Sequence, residues 1–493
     1  MGKDRQDRQR TDPMSMEASA ASEASGDAVL DVIADFTASR PSWRPDTLRT
    51  AALCLADAVG CALAALDDPD CARLIGPLFA GSPPGDVGVP GTGQWLDPVK
   101  AAFDIGTLVR WLDFSDTTFV GGHPSDNLGA ILAAAAHAAA RRRAAGLPAP
   151  ALGDVFDAMV KAYEIQGRLA QANRFDHPST GLDHVIGVKI AATAVATLLL
   201  GGDRDAIRRA LSNAWLDGQA LNAYRHTPNA GSRKGWAGGD ACARALWLAG
   251  LALRGDMGYP QPLSAPTWGF EAVHLRGRPV RLALGLGSFV LDHVIFKLHP
   301  CQRNATTAVE SAITLHAWLD GRQDRIARID VRTQDEAMRR IDKAGALPNR
   351  AARDHSMQYV VAMALLNGRL GHDDYGDAVA ADPRIDRLRA LTHVAEDPDY
   401  SRGHHDPAVR SCANAVRVTL DDGTASPWIE TRFPAGDPSR RDEALPLLAG
   451  KFHTLAARRW PPGRRRELWA RLGDTAGAAS WPVDEFLSSL ARL

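Results

Sequence analysis

The chain has 493 residues, 45% of them hydrophobic and 23% charged, which suits two globular domains with a large buried core. Lys and Arg number 57 against 58 Asp and Glu, so the net charge of -1 gives no electrostatic reason to expect nucleic acid or a membrane as partner. An anionic ligand must therefore be held by a local cluster of cations.

Residues 1–26 mix charge with Ser and Ala and contain no apolar run, so they are expected to form a disordered tail and cannot serve as a secretory signal. Helices are predicted over Ala28–Ala38, Pro45–Leu66, Pro98–Leu112, Asn127–Ala145, Val155–Ala172, Val185–Leu200 and Asp205–Leu216. Most are rich in Ala and Leu, with apolar residues three and four apart. Asp97 and Pro98 are a start signal for the third of them. Val185–Leu200, the most apolar run, carries Lys189 and is short for a bilayer, so it reads as a buried core helix. Residues 27–272 are accordingly expected to form an all-helical domain.

The pattern changes after the Gly- and Pro-rich stretch Gly255–Phe270. Ile326–Thr333 reads as a strand, and Asn414–Arg432 as two alternating strands around an Asp421-Asp422-Gly423 turn. Met357–Leu366 and Arg384–Leu391 between them read as helices, giving a smaller α+β domain over residues 273–435. Residues 436–493 return to helix at Glu443–Arg459, Gly463–Leu472 and Val483–Leu490, and are expected to pack back on the first domain. The fold class is thus mainly α, and a cleft between the two domains is the favoured place for a small-molecule site.

The six cysteines (Cys54, Cys61, Cys71, Cys242, Cys301 and Cys412) are scattered and form no Cys-x-x-Cys pair. That spacing argues against a zinc site or a four-cysteine iron–sulfur cluster and for free thiols in a reducing cytoplasm. A Gly-rich nucleotide loop and a G-x-S-x-G elbow are also missing, so no cofactor or metal is expected.

Three segments carry chemistry. In Trp111–Gly129, Asp113 and Thr117 are four apart and share a face if the helix continues through them, a glycine-containing loop presents His123, and Ser125 or Asp126 stands where a helix cap belongs. In Tyr224–Ala245, Arg225, His226, Arg233 and Lys234 flank a turn, and Gly235, Gly238 and Gly239 precede a helix of small residues. Cations and free N–H groups at a helix start would bind an anion. The third segment spreads Lys297, His299, Arg303, His355 and Tyr359 over the second domain, while His177 and His184 occupy a turn in the first. Together these groups suit proton transfer on a polyanion: cations stabilise charge that builds on a carboxylate when the neighbouring proton is removed, and His or Asp moves the proton. Asp113 and Asp116 on a helical scaffold would also suit metal-dependent prenyl chemistry, but no D-D-x-x-D follows.

The strings RWLDFSDTT, HPSDNLG, WLDGQALNAYRHTPNAGSRKGWAGGDA, GDMGYPQPLSAPTWGF and DHSMQYVVAMALLNGRL resemble the MmgE/PrpD family, and the similarity runs from about residue 27 onward. The resemblance implies a helical domain with a smaller lid domain, a homodimer, and dehydration of 2-methylcitrate to 2-methyl-cis-aconitate in propionate breakdown without an iron–sulfur cluster. It also implies a site made of Asp113, Thr117, His123, Lys234, Lys297 and Tyr359, with His184 or His177 as a further histidine. Two segments depart from the dehydratase pattern: the loop between Thr117 and His123 is short, and Leu298–Asn304 replaces F-P-A-E-F-H, leaving His299 or Arg303 to substitute for a missing histidine. They keep open another di- or tricarboxylate reaction on the same fold, such as decarboxylation of cis-aconitate or an isomerisation.

Overall fold

Small side chains let helices approach closely, and the first core is built on that principle. The computed structural model describes residues 23–119, 122–226 and 228–492. Helix Pro98–Arg110 starts as its sequence signals: the Asp97 carboxylate accepts from the Val99 and Lys100 N–H groups, and Pro98 occupies the first turn. It packs against Leu128–Ala144 and Arg233–Leu253. A Cβ on Gly239 would stand 2.4 Å from the Phe103 carbonyl oxygen, and one on Gly235 2.5 Å from the Trp111 ring. These glycines therefore lie inside the helix that starts at Arg233, where they permit close helix contact. They do not precede the helix as an anion-binding loop, contrary to the sequence expectation.

Helices Pro45–Ala65, Leu152–Asn173 and Val185–Leu199 complete this core. Pro45–Ala65 is, among the described residues, the helix long and apolar enough to cross a membrane, with mean hydropathy 1.5. Its apolar window is 78% buried within the fold, so core packing consumes that surface. The helices Arg441–Ala456, Pro462–Gly473 and Val483–Ala491 return to the same core, contributing Leu448, Phe452, Leu468 and Phe486.

A second core surrounds a four-stranded sheet in the order Thr392–Glu396, Ile326–Thr333, Asn414–Leu420, Ile429–Thr431, the first pair parallel and the others antiparallel. Alternation in Ile326–Thr333 turns Ile329 and Val331 into that core, against helices Thr306–Leu319 and Met357–Asn367. The structure is thus mainly helical with small sheets.

Two boundaries differ from the sequence reading. Leu275, Val280, Leu282, Val290, Val294 and Phe296 pack in the first core, and the second begins with Cys301, so the change of core falls near residue 300 and not at 273. Of the expected disordered tail, residues 1–22 lie outside the described residues, whereas Glu23–Ser25 pairs as a strand with Arg281–Ala283. Ser- and Ala-rich composition hid that strand because its partner lies far along the chain.

Candidate active site

Helix Pro98–Arg110 ends short of the predicted Leu112, and Asp113 adopts a left-handed conformation with φ 50°. Asp tolerates that region better than most side chains. The turn means that Asp113 and Thr117 do not share a helical face as expected. Instead Thr117 pairs with Ile295 through two backbone hydrogen bonds of 2.9 and 2.8 Å. This pairing joins the segment after the helix to the segment that ends in Lys297.

Asp113 becomes the hub of a buried charge cluster. Its Oδ1 lies 2.6 Å from Arg110 Nη1, 3.0 Å from Lys297 Nζ and 3.1 Å from His123 Nε2, and its Oδ2 lies 3.4 Å from Lys234 Nζ. Lys297 also donates to the Asp113 carbonyl. Burial alone would raise the Asp113 carboxyl, but the Arg110, Lys297 and Lys234 charges outweigh it and hold it well below the usual carboxylate range. Burial lowers Lys297, with Asp113 opposing. Behind Arg110, Asp126 is fully buried 3.6 Å from Nε, and burial pushes its carboxyl up to about 7 against the Arg110 charge. Neither Ser125 nor Asp126 caps the following helix, which starts at Leu128 after a short 3-10 turn.

His123 is held by its Nδ1, 2.7 Å from the Asp116 carbonyl oxygen. A carbonyl only accepts, so Nδ1 carries a proton and Nε2 is the nitrogen left to gain or lose one. Burial and the Arg110 charge hold His123 well below its ordinary value. The Asp116 carboxylate serves the loop itself, accepting from Tyr163 at 2.7 Å and from the Ser125 N–H at 3.1 Å.

Lys234 also donates to both Asp354 oxygens, at 2.8 and 2.6 Å, and stands 3.1 Å from His355 Nδ1. Burial and the Lys234 charge lower His355 to about 4. Ligand atoms of Asp113, Asp354 and His355 lie within 4.8 Å of one another, a spacing that suits a cation. The Lys234 ammonium already stands among these three groups and fulfils that role.

Asp113, His123 and His355 border a cavity of about 310 Å³, lined from the first core also by Arg110, Thr117, Phe119, Arg174, His184 and Arg225, and from the second by Arg303, Arg340, His404 and Arg410; Lys234 and Asp354 do not line it. Lys297 lines it as well. Cations dominate the wall, so the cavity suits a small polyanion. Arg225 is paired with the buried Asp183, its Nη2 3.1 Å from Oδ1. Among the described residues His184 Nε2 has no hydrogen-bond partner, and burial lowers its imidazole to about 4. Arg303 lies over the Phe119 ring, 4.6 Å from its centroid. His177, the alternative to His184, does not line this cavity but meets Ser179.

Four further expected residues stand elsewhere, among them His299, which borders a separate cavity with Phe114 and Lys451. Successive helical residues are about 100° apart, so Lys234 faces inward while Arg233 faces out, paired with Asp240 at 3.1 Å and stacked on Trp236. His226 is exposed and does not line the cavity. Tyr359 sits in the second core, stacked on Tyr375, with its hydroxyl donating to the Asp374 carbonyl at 2.7 Å. Tyr359→Phe is therefore expected to leave kcat within about twofold and to lower stability by about 1 kcal/mol, measured by steady-state kinetics and urea unfolding. A large loss of kcat would restore Tyr359 to the site. Sequence reasoning passed over Arg110 and Asp354. The first is visible as a cation three residues before Asp113, and the second as the acid beside His355.

Two family descriptions match the chain: MmgE/PrpD N-terminal domain over residues 31–283 and MmgE/PrpD C-terminal domain over residues 299–472. The 2-methylcitrate dehydratase of Cupriavidus necator is 47% identical, covering 97% of this chain and 100% of that protein. That of Escherichia coli strain K12 is 44% identical over 89% of this chain and 92% of its own length. The mitochondrial 2-methylcitrate dehydratase of Yarrowia lipolytica is 44% identical over 94% of this chain and 89% of its own. With both descriptions matched in chain order and nearly full-length similarity to these relatives, the chain belongs to the MmgE/PrpD family.

Proposed function

We propose that this protein is a hydro-lyase that dehydrates 2-methylcitrate to 2-methyl-cis-aconitate. The observation that carries the reading is the convergence of Asp113, His123 and Lys297 on the wall of a cation-lined cavity, with Lys234 3.4 Å from Asp113, in a chain 47% identical to a protein named for that reaction. The proton leaves the carbon that bears the methyl group, beside a carboxylate. The C–H electron pair forms the new double bond, and the C–O bond to the neighbouring carbon breaks. His123 Nε2 takes the proton, since its Nδ1 proton is committed to the Asp116 carbonyl, and the Asp113 carboxylate 3.1 Å from Nε2 stabilises the imidazolium that forms. Arg110 and Lys297 surround the point where carboxylate charge builds, and the Lys234 ammonium protonates the departing hydroxyl as water.

The second core acts in this reading as a lid over the first, with Arg303, Arg340 and Arg410 facing the helical side across the cavity. The protein works as a homodimer, for which exposed Trp247, Leu251 and Leu253 supply apolar surface. Six free, buried thiols suit a reducing cytoplasm. Purified protein incubated with 2-methylcitrate in the presence of a chelator is expected to develop the ultraviolet absorbance of a conjugated alkene. Loss of water is then read by mass. Folded protein that leaves 2-methylcitrate unchanged would refute the assignment.

A further inference from the structure

We infer that Lys451, on the returning helix Arg441–Ala456, is a positioning residue that clamps together the two backbone segments carrying Asp113 and Lys297. The inference rests on the dehydratase reading and concerns a residue that meets no substrate. Lys451 Nζ donates to the Phe114 carbonyl at 2.5 Å and to the Lys297 carbonyl at 2.8 Å. Its third partner is the Asp57 carboxylate at 2.7 Å, on helix Pro45–Ala65. Two of the ammonium protons thus go to backbone carbonyls, and the Asp57 contact is an ion pair. The ammonium also lies over the Phe114 ring, 3.9 Å from its centroid.

The two clamped carbonyls belong to the residue after Asp113 and to Lys297 itself. These are neighbours of the two groups whose charges meet at 3.0 Å. Thr117 and Ile295 already join the same two segments a few residues away, so Lys451 adds a second fastening and fixes the angle between them. Other residues of the returning segment hold the same strand-like stretch. Arg441 donates to the Val294 carbonyl at 2.9 Å, and the Gly436 carbonyl accepts from the Phe296 N–H at 3.0 Å. A Cβ on Gly436 would stand 1.7 Å from the Phe296 oxygen, so only glycine permits that approach. The site's geometry is thus set from behind, by residues that do not line the cavity.

Charge pairing alone does not account for this arrangement. A buried ion pair can be replaced by apolar groups of similar volume with little loss of stability. Two carbonyls directed at a lysine are a different matter, because no apolar side chain holds them in place. A small displacement of reacting groups lowers the rate of the chemical step far more than it weakens binding.

The test is the double variant Lys451→Met with Asp57→Leu, which removes both buried charges together. A folded protein of lower stability is expected, because the Phe114 and Lys297 carbonyls lose their donor, with kcat down about 10²-fold, KM within about threefold, and faster amide hydrogen exchange at residues 114–118 and 295–298. Should that variant fail to fold, Lys451→Gln replaces it. The shorter amide keeps a polar partner for Asp57 but does not reach both carbonyls, and the same split between kcat and KM is expected. A folded variant with native kcat and native exchange overturns the clamp. If native protein does not turn over 2-methylcitrate, the dehydratase reading fails by itself, and exchange in the two segments still decides whether Lys451 fastens them.

Discussion

Asp113→Asn is expected to lower kcat/KM by about 10³-fold and to destabilise the protein by about 3 kcal/mol or more. Asn is the informative replacement because it keeps the size of the side chain and tolerates the left-handed backbone at φ 50°, whereas Ala would add strain of its own. Removing the carboxylate charge leaves Arg110 and Lys297 buried beside each other without the anion between them, and Lys234 with only Asp354. Both stability and site geometry suffer, since Lys297 is aimed by the group it loses. Steady-state kinetics with denaturant unfolding separates the two effects. An Asp113→Asn protein that is folded and fully active would mean that the hub is structural only.

The second large effect concerns His123 and pH. Burial and Arg110 hold its imidazole well below the usual 6.5, so it is neutral, and able to accept a proton, at and somewhat below neutral pH. The sign follows directly: the basic form is complete above the lowered pKa and is lost as pH falls through it. The acid limb of kcat/KM, corrected for ionisation of the substrate, is therefore expected below pH 6.5. His123→Ala is expected to lower kcat by about 10²- to 10⁴-fold. A limb at 6.5 or above in the native protein, or a His123→Ala variant with native kcat, would remove His123 as the base.

Helical periodicity made most of the first core legible, down to the Asp97 cap and the exact extent of Ala28–Ala38. Strand alternation located Ile326–Thr333 without error. Both are local signals. What stayed hidden depends on partners distant in sequence. Nothing in the residues after Arg110 announces that the helix stops there, so sequence alone leaves open a shared helical face for Asp113 and Thr117 that does not form. Arg233 and Lys234 look alike in a basic loop, and only the helix start at Arg233 sends one inward and the other out. Tyr359 carries the right chemistry, but its hydroxyl is already satisfied in the second core. Arg110 was read as one more helical residue, although its charge and that of Asp113 are each balanced by the other.

Gly436, Arg441 and Lys451 come after both segments that they hold. Synthesis on the ribosome therefore delivers the reactive side chains well before the framework that aligns them. A nascent chain with both cores emerged would carry Asp113, His123, Lys234 and Lys297 yet lack a finished site until helix Arg441–Ala456 is free to dock. During that interval the groove on Pro45–Ala65 that receives Arg441–Ala456 stays open, an apolar surface on which a chaperone can act. The onset of catalysis would then wait for residues 436–451 to emerge and dock, keeping a chain that lacks them from acting on its substrate.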